Sequence, residues 1–327
     1  MRIIVDAMGG DNAPKEIING ILSAVSKTDD TFIVVGNKSD VLRYIKDHSA
    51  INKQIEIVHT EQIIAMDDDP LTAIQKKKDS SMVVALKLLA DGKGDALVSA
   101  GNTGALFSGA TLIVKRASGI KRAAIGTLLP SAKPCLLLDA GANVSVTEEY
   151  LEQFALIGSS YMQTMYGIKN PKVGILNNGT EECKGMALQI EAGKRLRANE
   201  SINFIGNVEA SAVMADVCDV VVCDGFTGNI FLKASEGMGK QILSALKDVY
   251  SETMITKLSY ILVQKKIRKI KKRFDATEHG GSPFLGISKP VIKAHGSSNA
   301  IAFENAIYQA KRYAESKMCF HNTKIEL

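Results

Sequence analysis

The chain has 327 residues, of which 46% are hydrophobic and 23% charged, with no tryptophan and a formal net charge of +5. That length buries a sizeable core, and the balance is that of an ordinary globular protein rather than a disordered or fibrous chain. Five scattered cysteines (Cys135, Cys183, Cys218, Cys223 and Cys319), none in CxxC spacing, exclude a disulfide framework or structural zinc site and suit a reducing cytoplasm.

In chain order, Ile3–Val5 reads as a strand, and Pro14 sits in the first turn of a helix reaching about Val25. Asp6 interrupts the first apolar run, so no secretory leader is expected. Thr31–Val35 and Ile55–Val58 are strands. In DDDP, Asp69 caps a helix with Pro70 at its first position. The helix Met82–Leu89 precedes the strand Ala96–Ser99, and another helix runs from Thr103 to about Lys115. Pro134–Leu138, Lys172–Leu176, Ile202–Ile205 and Val220–Cys223 are strands, separated by helices over Thr147–Met165 and Gly185–Arg197. A helix over Gly228–Tyr250, the strand Val291–Ala294 and the helix Ser298–Ser316 complete the pattern. Strands alternating with helices of this length predict βαβ units and a mainly parallel sheet. Neither repeat nor flexible linker divides the chain, so a single domain over 1–327 is expected, with 251–275 as an amphipathic helical insertion.

That insertion breaks the rhythm. Between Thr253 and Phe274 stand eight basic residues and no acidic one; without them, 32 Lys and Arg face 35 Asp and Glu. The basicity is therefore local. Met254, Ile255, Leu258, Ile261 and Leu262 share a helical face, continued by Ile267, Ile270 and Phe274. A cationic helix of this kind suits a membrane surface, with Leu258, Ile261, Leu262, Lys265 and Lys266 as contacts. An ordinary solvated face is the alternative. Nucleic-acid binding is not expected, because no aromatic ladder accompanies the charges. No apolar run reaches the ~18 residues of a spanning helix.

Neither G-x-G-x-x-G nor G-x-x-x-x-G-K-[ST] occurs, so a dinucleotide site and P-loop hydrolysis are unsupported. The histidines His48, His59, His279, His295 and His321 lack metal-ligand spacing, and no Gly-x-Ser-x-Gly elbow appears. Six apolar runs instead end in small polar loops: IIVDAMGGD, ALVSAGNTGA, LLLDAGANV, VGILNNGTE, VVVCDGFTGN and VIKAHGSS. Ligands gather where strands of an α/β sheet end, and glycine lets backbone amides approach an anion. The loops from Ser99 to Gly104 and from Asp224 to Asn229 each lead into a helix whose N-terminus suits an anion; for either loop alone, glycines serving only as strand-to-helix turns are the alternative. Lys293 and His295, two apart at the end of a strand, are expected to project from one face as an anion clamp with a titratable partner; a hydrogen-bonded structural role for His295 is the alternative. Of Lys76, Lys77 and Lys78, the first two read better as a solvated face. Cys183 has no histidine near it in sequence and makes a poor nucleophile.

Eight ordered motifs, VDAMGGDNAP, KKKDSSM, SAGNTGA, LDAGAN, NNGTEECKG, INFIGNVE, VVCDGFTGN and IKAHGSS, closely resemble the PlsX family, the phosphate acyltransferases of bacterial phospholipid synthesis. The resemblance covers Met1 to about Ala310. It implies an isocitrate/isopropylmalate dehydrogenase-like fold: a three-layer α/β/α sandwich with a mainly parallel sheet, here with the basic helical segment protruding. It implies acyl transfer from acyl carrier protein to inorganic phosphate, and acyl phosphate passed to a membrane-bound acyltransferase. It also implies a homodimer resting on the inner face of the membrane. Neither cofactor nor metal is expected. Lys293, His295, Asn102 and Asp224 are the expected catalytic residues. Expected to bind phosphate or substrate are Asp6, Gly9, Gly10, Asp11, Lys78, Ser80, Ser81, Gly101, Thr103, Gly104, Asp139, Asn143, Asn177, Glu181, Lys184, Thr227, Gly228, Asn229 and Ser297. Two other readings stand beside this one: a phosphotransacetylase acting on acyl-coenzyme A, and a non-catalytic lipid-surface or RNA-binding protein.

Overall fold

The apolar runs become the strands of one sheet with both faces covered. A computed structural model of the chain describes residues 1–45, 53–131, 133–274 and 280–318, without the side chains of 268–274. Cys319, His48, His279 and His321 lie outside the described residues, as do the side chains of Ile270 and Phe274. The strands are β1 (Arg2–Asp6), β2 (Thr31–Gly36), β3 (Ile55–His59), β4 (Ala96–Ser99), β5 (Ala124–Leu129) and β6 (Cys135–Leu138). They continue as β7 (Lys172–Asn177), β8 (Asn203–Glu209), β9 (Val220–Val222), β10 (Ser282–Leu285) and β11 (Val291–Lys293). Among the described residues their order is β3-β2-β1-β4-β11-β10-β5-β6-β9-β7-β8. All pairings are parallel except those of β10 with β11 and β5, and of β5 with β6.

The helices are α1 (Lys15–Val25), α2 (Lys38–Tyr44), α3 (Pro70–Lys76), α4 (Ser81–Ala90), α5 (Thr103–Gly109) and α6 (Glu148–Tyr166). After them come α7 (Ala187–Ala198), α8 (Ala210–Val213), α9 (Gly225–Ser251), α10 (Met254–Phe274) and α11 (Ala300–Glu315). Alternation along each strand sorts them into two layers. Ile3, Val5, Phe32 and Val34 pack with Ile17, Ile21, Phe154, Leu196 and Phe303, from α1, α6, α7 and α11. Ile4, Ile33, Val35 and Leu97 face the other way, onto Ile74, Met82, Leu86, Leu106 and Leu232. The expected three-layer α/β/α sandwich is what forms.

Local chemistry sets the ends. Asp69 accepts from the Thr72 amide at 2.9 Å with Pro70 behind it, as expected. The helix from Thr103 changes to a π-helical turn over Ala110–Val114, where the Lys115 amide donates to the Ala110 carbonyl. Helix α9 begins three residues earlier than expected, because Asp224 caps it through the Thr227 amide at 2.8 Å. Strands β5 and β10 and helix α2 were not anticipated. Proline cannot donate to a strand ladder, so Pro283 is an unusual residue for a strand inside the sheet. It is tolerated because β10 changes partner midway: Ser282 and Pro283 pair with β11, Phe284 and Leu285 with β5.

Helix α9 is anchored at its start by the buried Gly225, Gly228 and Leu232, with Gly239 buried further along. The remainder lies along α10, with the Tyr250 and Tyr260 rings 5.6 Å apart. The anchor is tight. A Cβ on Gly228 would stand 1.9 Å from the Asp139 carbonyl oxygen, a backbone atom that cannot swing aside. Gly228→Ala should therefore destabilise the protein by at least ~1–3 kcal/mol in denaturant unfolding. Gly193→Ala in α7, where a Cβ meets nothing within 4 Å, should be neutral or stabilise by about 0.5–1 kcal/mol. Equal effects at the two positions would contradict the packing account.

Candidate active site

Three loops follow the C-terminal ends of the adjacent parallel strands β1, β4 and β11. The β1 loop carries Gly9, Gly10 and Asp11; the β4 loop carries Gly101, Asn102 and Thr103; the β11 loop carries His295 and Ser297. They lie nearly in contact. A Cβ on Gly9 would be 2.6 Å from the Gly101 nitrogen, so only glycine lets these backbones meet. The Asp11 amide donates to the Gly296 carbonyl at 2.9 Å, and the Ala294 amide donates to Ser99. Asn12 reaches the Ser297 carbonyl at 3.2 Å and the Ser298 carbonyl at 3.3 Å.

Beneath the loops lies a buried charge system. The Lys293 side chain is only 8% exposed, and its Nζ donates to the Ala100 carbonyl at 3.1 Å and to the Ala294 carbonyl. Burial lowers its pKa to about 8, against the pull of Asp11 and Asp6, and Lys233 lowers it further. Asp6 is buried and accepts from the Ser99 hydroxyl at 2.7 Å and the Met8 amide at 3.3 Å. Burial raises its pKa, opposed by hydrogen bonds from Ser81 and Ser99. His295 stands at the mouth. Its pKa is lowered by loss of solvent first and by Lys233 second. Its Nδ1 accepts from the Ser297 amide at 3.2 Å, so in the neutral ring the proton sits on Nε2.

A second set of loops follows β6, β9 and β7, beyond the antiparallel pair β10 and β5. Asp139 is buried and organises the β6 loop. Its carboxylate accepts from the Ile125 amide at 3.0 Å, the Asn143 amide at 2.7 Å and the Asn143 carboxamide at 2.8 Å. The Asn143 carbonyl in turn accepts from the Gly225 amide at 2.7 Å, which ties this loop to the start of α9.

Between the two sets lies a cleft of about 380 Å³. Asp11, Thr103, Lys293 and His295 line it from one side; Asn229, Leu232, Lys233 and Glu236 line it from α9. Met66 joins the Lys293 side, and Ile125, Thr127, Leu128, Pro130 and Ala140 add a largely apolar floor. Of the residues expected from the sequence, Asp11, Thr103, Asn229, Lys293 and His295 therefore meet at one place. Asp6, Gly9, Gly10, Gly101, Ser81 and Ser297 sit just behind them, supporting Lys293, His295 and the loop backbones.

Others have structural employment. The Asn102 carboxamide caps α5 through the Ala105 amide at 3.0 Å and donates to the Met66 carbonyl at 3.0 Å and the Asp68 carbonyl at 3.1 Å. Its polar atoms are used in holding the 65–68 loop over the cleft. Ser80 caps α4, and Asp224 caps α9, accepting from both the amide and the hydroxyl of Thr227. Gly104 packs against Pro70. Lys78, Asn177, Glu181 and Lys184 do not line the cleft. Lys78 is exposed and lends its carbonyl to Lys87; Asn177 donates to the Lys184 carbonyl on the β7 loop. Cys183 is exposed on that same loop.

Sequence reading missed Lys233, Glu236, Thr127 and Ser282. The first two follow Asn229 at helical spacing, a usable signal once α9 is known to begin at Gly225. Thr127 and Ser282, whose hydroxyls lie 2.8 Å apart, belong to the two unanticipated strands, and no motif marked them.

A family model described as fatty acid synthesis protein matches residues 1–321. A phosphate acyltransferase of Thermoanaerobacter pseudethanolicus is 45% identical over 322 residues, covering 98% of this chain and 96% of that one. Among solved structures, a phosphotransacetylase from Streptococcus pyogenes superposes with a TM-score of 0.64 at 18% identity, covering 97% of this chain and 94% of that one. A branched-chain phosphotransacylase from Enterococcus faecalis gives 0.58 at 16% identity, over 96% and 99%. At such identities these structures establish the fold alone. It is the dehydrogenase-like α/β/α arrangement expected from the motifs.

Proposed function

Because the chain belongs to the phosphate acyltransferase family and is an acyltransferase, we propose that its cleft moves a fatty acyl group from the thioester of acyl carrier protein to inorganic phosphate. The product is an acyl phosphate for phospholipid synthesis. One observation carries this reading: a single cleft joins the cationic end formed by Lys293 and His295 to an apolar floor formed by Ile125, Leu128 and Leu232. An anion and an acyl chain are the two things such a cleft accommodates together.

The chemistry needs no activation, since the thioester is already activated. Hydrogen phosphate, held by Lys293 and by backbone amides of the flanking loops, attacks the thioester carbonyl carbon. A carbon–oxygen bond forms and the carbonyl becomes a tetrahedral oxyanion. As it collapses, the carbon–sulfur bond breaks and the phosphate proton passes to sulfur, leaving thiol and acyl phosphate. Neutral His295 offers an Nε2 hydrogen bond to the developing charge, and Lys293 offsets the added negative charge in a partly desolvated site. Asp6 and Asn102 position rather than react: Asp6 steadies the Lys293 ammonium, and Asn102 holds the 65–68 loop.

The exposed apolar residues of α10 support the membrane contact. Met254 and Ile255 are each 81% exposed and Leu262 86%, above a strongly basic sequence. Among the described residues no helix is long and apolar enough to cross a membrane. We place the protein on the inner face of the cytoplasmic membrane, resting on α10. Near an anionic leaflet each Lys or Arg contributes about 1 kcal/mol. A homodimer is supported by Phe226, Ile230, Met238 and Ile242, exposed apolar residues at multiples of four along α9.

Acyl phosphate should form when acyl carrier protein thioester and phosphate are mixed with the enzyme. Parallel reactions with coenzyme A thioesters identify the preferred donor. His295→Ala should lower kcat by about 10²-fold. Lys293 is cationic below its pKa, so kcat/KM for phosphate should fall as pH rises through about 8. Lys293→Arg, which keeps its charge, should abolish that fall. Phosphate-independent loss of thioester, or full activity in both His295→Ala and Lys293→Ala, would reject the proposal.

For the membrane contact, wild-type protein should sediment with anionic phospholipid vesicles at low salt, and Leu258→Glu should weaken this several-fold while turnover in solution persists. Equal sedimentation of the two proteins would refute the placement.

A further inference from the structure

The cleft contains an ion pair that the mechanism above leaves unused. Lys233 and Glu236 stand on α9 one and two turns beyond Asn229, on the same stripe, and all three line the cleft. The turn beneath them is fixed, because Leu232 is buried and Asp224 caps the helix. The Lys233 ammonium lies 2.9 Å from the Glu236 carboxylate, with the lysine side chain 55% and the glutamate 22% exposed. An exposed pair of this spacing contributes little to stability. Its position contributes more. Lys233 is close enough to depress the protonation of both Lys293 and His295, which reach the cleft from the opposite wall. Three groups able to carry positive charge therefore converge from two sides of one cavity, and they repel one another until an anion separates them.

We propose that Lys233 is a phosphate-binding residue and that Glu236 competes with phosphate for it. The proposal rests on reading this cleft as the phosphate site. The compact lysine ammonium on its flexible stem can turn from Glu236 to a phosphate oxygen without any movement of α9. The dianion carries more charge than the carboxylate and meets Lys293 at the same time, so it displaces Glu236 as the partner. Glu236 in turn disfavours a dianion by repulsion and keeps the cleft neutral between turnovers. The two members of one ion pair should thus act on phosphate binding with opposite sign.

The test is steady-state turnover at varied phosphate with saturating acyl thioester, with calorimetric titration of inorganic phosphate as a measurement independent of turnover. Lys233→Ala should raise KM for phosphate and weaken its binding about tenfold, the loss of one charge-assisted hydrogen bond, with kcat changed far less. Lys233→Arg should recover part of the loss. Glu236→Gln should lower KM and tighten binding about threefold by removing both competition and repulsion. A pair that merely braces the helix would shift both variants in one direction or neither, and that result overturns the proposal. If Lys293→Ala and His295→Ala impair phosphate binding while Lys233→Ala does not, only the role of Lys233 falls. If none of the three impairs it, the phosphate reading of the cleft falls as well.

Discussion

An ammonium group taken almost out of water is the constraint around which this protein is arranged. Lys293 ends a central strand, and an unpaired charge there would be prohibitively costly. The structure offsets this with two backbone carbonyls and the fields of Asp6 and Asp11. Those groups come from β1, β4 and β11, so the three strands must be adjacent and must end level with one another. The glycine crowding of the β1 and β4 loops follows directly, since a side chain at Gly9 would run into the Gly101 backbone.

The opposite wall is built by a different device. Asp139 draws its own loop and the Ile125 amide of β5 around one buried carboxylate, and burial raises its pKa despite the many donors. The loop so formed is the seat for the first turns of α9. The two walls face each other across the antiparallel strands β10 and β5, where the sheet interrupts its parallel order. In open α/β sheets ligands bind at such changes of topology, beyond the strand ends. Here the interruption also supplies the apolar floor.

Helix α9 joins the site to the outside. Its first turns carry Asn229, Lys233 and Glu236 into the cleft, while its far end meets the basic helix α10. A 27-residue helix spans about 40 Å. One helix thus links the wall of the cleft to the exposed apolar residues of α10.

The sequence by itself determined the α/β class, nearly every parallel strand, the Asp69 cap and the α10 boundaries. Each depends on local periodicity or on a side chain reaching its own backbone, and both are written in neighbouring residues. It also marked Asp11, Thr103, Asn229, Lys293 and His295, because glycine-rich ends of apolar runs are visible wherever they occur. Tertiary structure alone decided which of those loops face one another. Asn177 and Lys184 carry the same signature as Asn102 and Thr103 yet sit on a loop outside the cleft, since strand order is set by long-range pairing. It alone admitted Pro283 to a central strand, by splitting β10 between two partners. It also joined the Asn102 carboxamide to the 65–68 loop, and it placed Lys233 and Glu236 opposite Lys293. A residue's role at a shared site depends on what the other wall brings to it, and that wall comes from a distant part of the chain, as Lys233 does for Lys293.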